Sequence, residues 1–289
     1  MQGDQALVLG GGGVAGIAWI TGLLTGLAVA GQDVTGADVI IGTSAGATVA
    51  AQVGSDLSLD ELFARQTQPA LQSREIPVEL DLDKLAADWG EIMTGVTSGE
   101  EMLRRAGAYA LAADTVPEAK RRAVIESRLP SRAWPTRRVQ LVAVDAETGQ
   151  PYVFDSQSGA ELVDAVAASC AVPGIWPPVT IGGRRYIDGG VRSSHNADLA
   201  EGSGRIVIIS PLGYDSPIPS PMPLRQVVGQ LRDRGSEVIV MVPDQASARP
   251  ARAGGTRSRP AARPPARCRP RARRRRPGAA SPARTSRRS

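Results

Sequence analysis

Histidine is almost missing from this chain. Of 289 residues only His195 carries an imidazole, which excludes any zinc site built on two or more histidines. Cysteine is scarce as well. Cys170 and Cys268 are the two present, too few for a disulfide framework and too distant for a metal-ligand spacing. Acidic residues are scattered without a recurring ligand cluster, so the sequence predicts no metal and no cofactor. Aromatic residues make up 3% of the chain, and a core must therefore be built from Ala, Val, Leu and Ile. A membrane-length apolar run is lacking: the longest, residues 16–30, falls short of a span and is interrupted by Thr21, Gly22, Thr25 and Gly26. The first residues carry no basic stretch of the kind that opens a secretory signal. These absences point to a cytoplasmic protein, with peripheral contact to a membrane surface left open.

Charge is divided unevenly. No acid follows Asp244. Residues 249–289 hold 15 of the 34 Lys+Arg residues, all of them Arg, so residues 1–248 set the other 19 against all 29 acids. The body is therefore acidic and the tail strongly basic. The tail is otherwise Pro, Ala, Gly and Ser, a composition that cannot bury a core. It is predicted to be disordered. Three readings stand for it: a basic arm for nucleic acid or anionic lipid, a solvated tail without a role, or the product of a shifted reading frame. The absence of aromatics favours the solvated tail, and no specific nucleic-acid binding is expected. Oligomeric state cannot be read from the chain.

The body, residues 1–248, reads as one α/β domain. Ala6–Gly10 is a short apolar run of the kind found in buried parallel strands. Residues 10–13 are four glycines and must turn. Residues 16–30 are apolar nearly all round, as a buried helix is. Asp38–Gly42 is a second strand, followed by the turn Thr43-Ser44-Ala45-Gly46 and an Ala/Val-rich helix. This βαβα order predicts a mostly parallel sheet within a three-layer α/β/α sandwich. Residues 58–129 read as a helical insertion, entered through Ser58 and Glu61 at capping-box spacing. Strands resume at Arg138–Asp145 and Tyr152–Phe154. A hairpin turns at Gly182-Gly183, and strands at 205–209 and 237–242 flank a helix near 224–234.

Three motifs carry candidate chemistry. Gly11-Gly12-Gly13-Val14-Ala15-Gly16 follows the first strand and opens a helix. Amides unshielded by Cβ at a helix N-terminus suit a phosphate, a dinucleotide or a transition-state oxyanion, and tight packing explains the glycines equally well. Gly42-Thr43-Ser44-Ala45-Gly46 matches GxSxG between a strand and a helix, where a sharp turn forces the central residue into strained backbone geometry and exposes its hydroxyl as a nucleophile. The plainer alternative is that Thr43 or Ser44 caps the helix. Asp188-Gly189-Gly190 is either an ordinary Asp-Gly turn or a carboxylate placed at a strand end. His195, seven residues on, keeps a Ser44–Asp188–His195 triad open.

In this order and spacing, the Gly-rich loop, the GTSAG elbow and the distant DGG resemble patatin-like phospholipases. Ala168–Pro173 and Trp176–Val179 support the resemblance, which spans roughly residues 5–245. It implies an α/β/α sandwich that hydrolyses acyl esters of lipids through a Ser–Asp dyad. On that likeness Ser44 is the nucleophile, Asp188 the general base, and Gly11, Gly12 and Gly13 the oxyanion donors. Gly16, Gly42, Gly46, Gly189 and Gly190 complete the motifs. The implied partner is a lipid or other acyl ester. One departure stands out: the family's loop commonly has a basic residue before its last glycine, and here that position is Ala15. Two other readings remain. One is a nucleotide- or dinucleotide-binding module, with Asp33 or Asp38 on the ribose. The other is an inactive lipid-binding relative.

Overall fold

Consecutive apolar residues such as Ala6-Leu7-Val8-Leu9 suit a strand only when both of its faces are covered. In the computed structural model, which describes residues 4–77, 81–215, 220–244 and 247, that segment is β1 (Gln5–Leu9), with Ala6 to Leu9 all buried. It lies between β2 (Val39–Gly42) and β7 (Arg205–Ile209), parallel to both. The remaining strands are β3 (Arg138–Asp145), β4 (Pro151–Phe154), β5 (Val179–Ile181), β6 (Arg184–Asp188) and β8 (Glu237–Met241). Their order in one sheet is β5-β6-β3-β2-β1-β7-β8, with β4 also paired to β3. The run from β3 to β8 is parallel, while the β3–β4, β3–β6 and β5–β6 pairs are antiparallel.

Helices cover both faces. Leu7, Leu9, Ile40 and Leu141 pack with α1 (Gly13–Val29), α2 (Ala45–Val53) and α7 (Leu162–Ser169). The alternate strand positions Ala6, Val8, Ile41, Val142 and Ile208 pack with α8 (Leu224–Asp233). This period-2 division of side chains between two cores makes the sandwich. The fold is a mostly parallel, helix-flanked α/β sandwich, and its helices depart by a few residues at most from the segments read in the sequence.

The segment between α2 and β3 is helical. It holds α3 (Leu59–Thr67), α4 (Leu82–Met93), α5 (Gly99–Ala112) and α6 (Glu118–Arg128). Ser58 and Glu61 form the reciprocal capping box at the start of α3. α5 closes a third apolar cluster, in which Met102 and Ala106 meet Val144 and Ile187. α6 turns Arg121, Ile125 and Arg128 inward. Among the described residues no helix is long and apolar enough to cross a membrane. The basic tail expected at 249–289 lies outside the described residues.

Register brings the three motifs to one edge of the sheet. Leu9 of β1 pairs with Gly42 of β2, so the glycine loop and the elbow leave adjacent parallel strands at the same end. Gly42 in turn pairs with Leu141 of β3, and two residues further along that strand Ala143 pairs with Asp188. Carboxyl ends of parallel strands are where open α/β sheets place their sites.

Candidate active site

Between a buried strand and a buried helix the chain must reverse within Gly42–Gly46. Ser44 takes the strain, with φ 54° and ψ −116°. Among described residues other than glycine, only Asn196 shares a positive φ. An L-residue there costs about 1–3 kcal/mol and needs a frame that enforces it. Gly46 supplies part of the frame by close approach: a Cβ on it would sit 1.9 Å from the Leu9 carbonyl oxygen. Gly42 is similarly tight against the start of α2, where a Cβ would meet the Ala47 amide nitrogen at 2.8 Å. The Thr43 amide donates to Leu9 O at 3.0 Å, tying the elbow to β1. The Ser44 amide donates to Ser169 Oγ at 3.0 Å, and Ser169 Oγ donates to Val142 O at 2.6 Å. The Cys170 thiol donates to the Ser44 carbonyl at 3.2 Å. No side chain caps α2, so the capping explanation of Thr43 and Ser44 does not hold.

The Ser44 hydroxyl instead lies beside the carboxylate of Asp188, close enough to lower its proton affinity. That carboxylate is 3% exposed. Burial raises its pKa to about 7, against the lowering effects of the Gly190 amide and the Ser44 hydroxyl. The Gly190 N–H donates to Asp188 Oδ1 at 2.7 Å, which orients the carboxylate. Gly189 lets that turn lie on β3, since a Cβ there would be 2.4 Å from Val142 O. Cys170 is buried nearby. Burial first, and then the charge of Asp188, lift its thiol to about 11, so it is an inert packing residue rather than a nucleophile.

The glycine loop divides its roles. The Gly10 amide donates to Ile209 O and the Gly11 amide to Ser194 O, at 2.9 and 2.8 Å. Gly11 was expected as an oxyanion donor, but its N–H is already committed, and it acts as a brace beside Ser44. A Cβ on Gly11 would lie 3.6 Å from that of Ser44. The amides of Gly12 and Gly13 meet no acceptor among the described residues. Gly12 adjoins Pro211, and Gly13, with φ +62°, begins α1. Gly16 provides for helix packing, because a Cβ there would be 3.2 Å from that of Ala45.

His195 is engaged elsewhere. Its Nε2 lies 2.6 Å from Ser210 Oγ, whose own proton goes to Gly213 O at 2.6 Å. Nε2 must therefore carry the ring hydrogen and donate it. Burial lowers the imidazole pKa to about 4, so the ring is neutral at ordinary pH. The triad left open by the sequence is not assembled around Ser44. The dinucleotide reading also fails on geometry. Asp38 precedes β2, so it lies at the opposite end of the parallel pair from the glycine loop, and it accepts the Gln5 amide at 2.7 Å. Asp33 caps its own turn through Thr35.

Several functional neighbours carried no signal in the sequence. Asn196, fully buried and left-handed at φ 50°, donates through Nδ2 to Thr43 Oγ1, Gly189 O and Ser193 O at 3.0, 3.2 and 2.9 Å. It couples the elbow to the Asp188 turn. Ser44 opens onto a cavity of about 330 Å³ whose lining includes Gly13, Val14, Ala45, Arg121, Arg128 and Trp176. A second recess of about 360 Å³ shares Val14, Ile17, Glu75 and Arg128 with it and adds Leu71. The arginines were detectable in principle. They stand seven apart on a helix, on the face that also carries Ile125.

Residues 7–201 match the family model described as patatin-like phospholipase. Among solved structures, the type III effector protein ExoU is 17% identical, with a TM-score of 0.37, covering 87% of this chain and 52% of its own. VipD from Legionella pneumophila is 14% identical, with a TM-score of 0.36, covering 74% of this chain and 51% of its own. The chain thus spans about half the length of either effector. On the family match, which takes in the glycine loop, the elbow and the Asp-Gly-Gly turn, the chain belongs to the patatin-like phospholipase family.

Proposed function

We propose that the protein is a lipid acyl hydrolase that cleaves carboxylic esters through Ser44 and Asp188. The observation that carries this reading is the strained Ser44, held at positive φ beside a buried carboxylate whose proton affinity its hydroxyl lowers. A serine hydroxyl is a weak nucleophile until a base takes its proton. A carboxylate titrating near 7 is matched to that task at neutral pH. Asp188 accepts the proton as Ser44 Oγ attacks the ester carbonyl. The amides of Gly12 and Gly13 are the candidate donors to the oxyanion, where losing one donor typically costs about 10²–10³ in rate. Asp188 then returns the proton to the leaving alcohol. Water, activated by the same carboxylate, releases the acid from acyl-Ser44 and restores both groups.

Exposed apolar residues beside the cavity, Val14 at 53% and Leu71 at 46%, support approach to a lipid surface. A cytoplasmic protein in peripheral contact with a membrane is the setting we propose. A fluorophosphonate probe tests the nucleophile directly. The expected adduct maps to Ser44, and both Ser44→Ala and Asp188→Asn abolish turnover of p-nitrophenyl butyrate. An adduct on another residue, or full activity in either variant, overturns the reading.

A further inference from the structure

The wall of the cavity facing α6 carries more positive charge than the protein neutralises. Arg121 and Arg128 are 5% and 8% exposed, and both line the cavity that holds Ser44. One carboxylate serves them both. Glu75 Oε1 accepts from Arg121 Nη1 at 2.6 Å, and Oε2 accepts from Arg128 Nη2. Buried charges are normally paired and their protons satisfied. Here two guanidinium groups share one acid, and the buried Nε–H of Arg121 has no acceptor. Arg121 cannot swing away to find one, because its guanidinium lies 3.6 Å from the ring centroid of Trp176. Glu75 is the loosest member. It sits outside any helix or strand and its side chain is 33% exposed.

A carboxylate has two oxygens, and both are used. A phosphate spans the same pair of guanidinium groups, brings further oxygens for the unpartnered Nε–H, and carries enough charge to balance both arginines. The glycine loop, residues 10–16, offers no cation of its own. Resting on the reading of Ser44 as the nucleophile, we infer that Arg121 and Arg128 bind the phosphate of an acylated glycerophosphate substrate, and that Glu75 fills this subsite until the phosphate displaces it. The shared cavity ties the two events together: a phosphate seated on α6 presents an ester a few bonds away to Ser44. The adjoining recess bounded by Val14, Ile17 and Leu71 is then left for the acyl chain.

Short-chain substrates test this without a lipid surface. The full chain is assayed with 1-butyrylglycerol 3-phosphate and with 1-butyrylglycerol, and the readout is the ratio of their kcat/KM values. The wild type is expected to favour the phosphate ester at least tenfold. Arg121→Gln lowers that ratio about tenfold or more, whereas Glu75→Gln raises it. A ratio cancels any loss of folded protein, and a purely structural role for the three residues does not move it in opposite directions. Calorimetric binding of glycerol 3-phosphate to Ser44→Ala adds a readout independent of turnover, expected to be lost when Arg121→Gln is combined with it. A wild-type enzyme that hydrolyses p-nitrophenyl butyrate with a ratio near one overturns the subsite and leaves the Ser44 reading intact. Inactivity on every ester, with glycerol 3-phosphate still bound through Arg121, overturns the Ser44 reading instead. Inorganic phosphate that alters p-nitrophenyl butyrate turnover while the ratio stays near one marks a site for free phosphate and also overturns the substrate assignment.

Discussion

Replacing Asp188 by Asn is predicted to make the protein more stable at pH 8 while abolishing its activity. Burial raises the carboxyl from 3.8 to about 7. A folded-state pKa above the unfolded value means that the native state holds the proton more tightly. Stability from this group is fully present below about pH 4 and is lost as pH rises through 7. With about 1.4 kcal/mol per pKa unit, the ionised carboxylate costs the native state about 4 kcal/mol at pH 8. That is a large fraction of the 5–15 kcal/mol typical of a domain. Asn keeps the local bonds. Its Oδ1 accepts the Gly190 amide, now held by Asp188 at 2.7 Å, and its Nδ2 donates to the Ser44 oxygen. The variant should therefore lack the pH-dependent cost and little else. Urea unfolding of both proteins at pH 4, 6 and 8 measures the difference directly. The advantage of Asn should be near zero at pH 4, grow through pH 6, and level off above 7 at up to about 4 kcal/mol. A difference independent of pH, or a less stable variant at pH 8, refutes the claim that this carboxylate is ionised at the native protein's expense.

The parts of the fold legible in the sequence are those where one local cause acts alone. Four apolar residues bounded by glycines in β1 read as a covered strand, and the Ser58–Glu61 spacing reads as a capping box. The elbow was legible because Gly42 and Gly46 flank a serine between a strand and a helix. Its strain was legible too, from the sharpness of the turn, but the contacts that hold φ at 54° were not, since Leu9, Ser169 and Cys170 lie far away in the chain. The same holds for the loop. Glycine content marks it as an amide cradle, but only the position of Ser194 decides that the Gly11 amide is spent. Asn196 was illegible for a further reason: an isolated Asn reads as a loop residue. The spacing of Arg121 and Arg128 places them on the face of Ile125, but it is burial that sets them apart from solvated helix arginines, and no local pattern reports burial. These are also the places where local rules are broken. A serine at positive φ, an ionisable carboxylate at 3% exposure and a guanidinium with an unpaired Nε–H all weaken the fold. Ser44 and Arg121 line one cavity and Asp188 lies behind Ser44, and that convergence is the physical argument that the cavity works.

The remaining predictions follow from the same geometry. For a neutral ester, kcat/KM should fall about tenfold per pH unit below 7 and stay level above it, because the base must be ionised; a plateau extending to pH 5 removes Asp188 from that role. His195→Gln keeps a donor for Ser210 and should hold p-nitrophenyl butyrate turnover within about threefold of the wild type, whereas loss of a triad histidine costs about 10⁴ or more. Gly46→Ala pushes a methyl group to 1.9 Å from Leu9 O, and with β1 pinned in mid-sheet the elbow must open. Thermal unfolding should shift down by more than 10 °C, an effect of about 3 kcal/mol or more for a domain of this size. Asn196→Ala frees Thr43 and Gly189 from their shared donor, at a cost of about 1–3 kcal/mol in urea unfolding. Since Asn196 sits behind the elbow and lines neither recess, substrate binding should be spared while the aim of Ser44 at Asp188 is lost. A fall in kcat with little change in KM is the expected signature. A rise in KM at constant kcat would mean that Asn196 shapes the cavity rather than the alignment of the Ser44 and Asp188 oxygens.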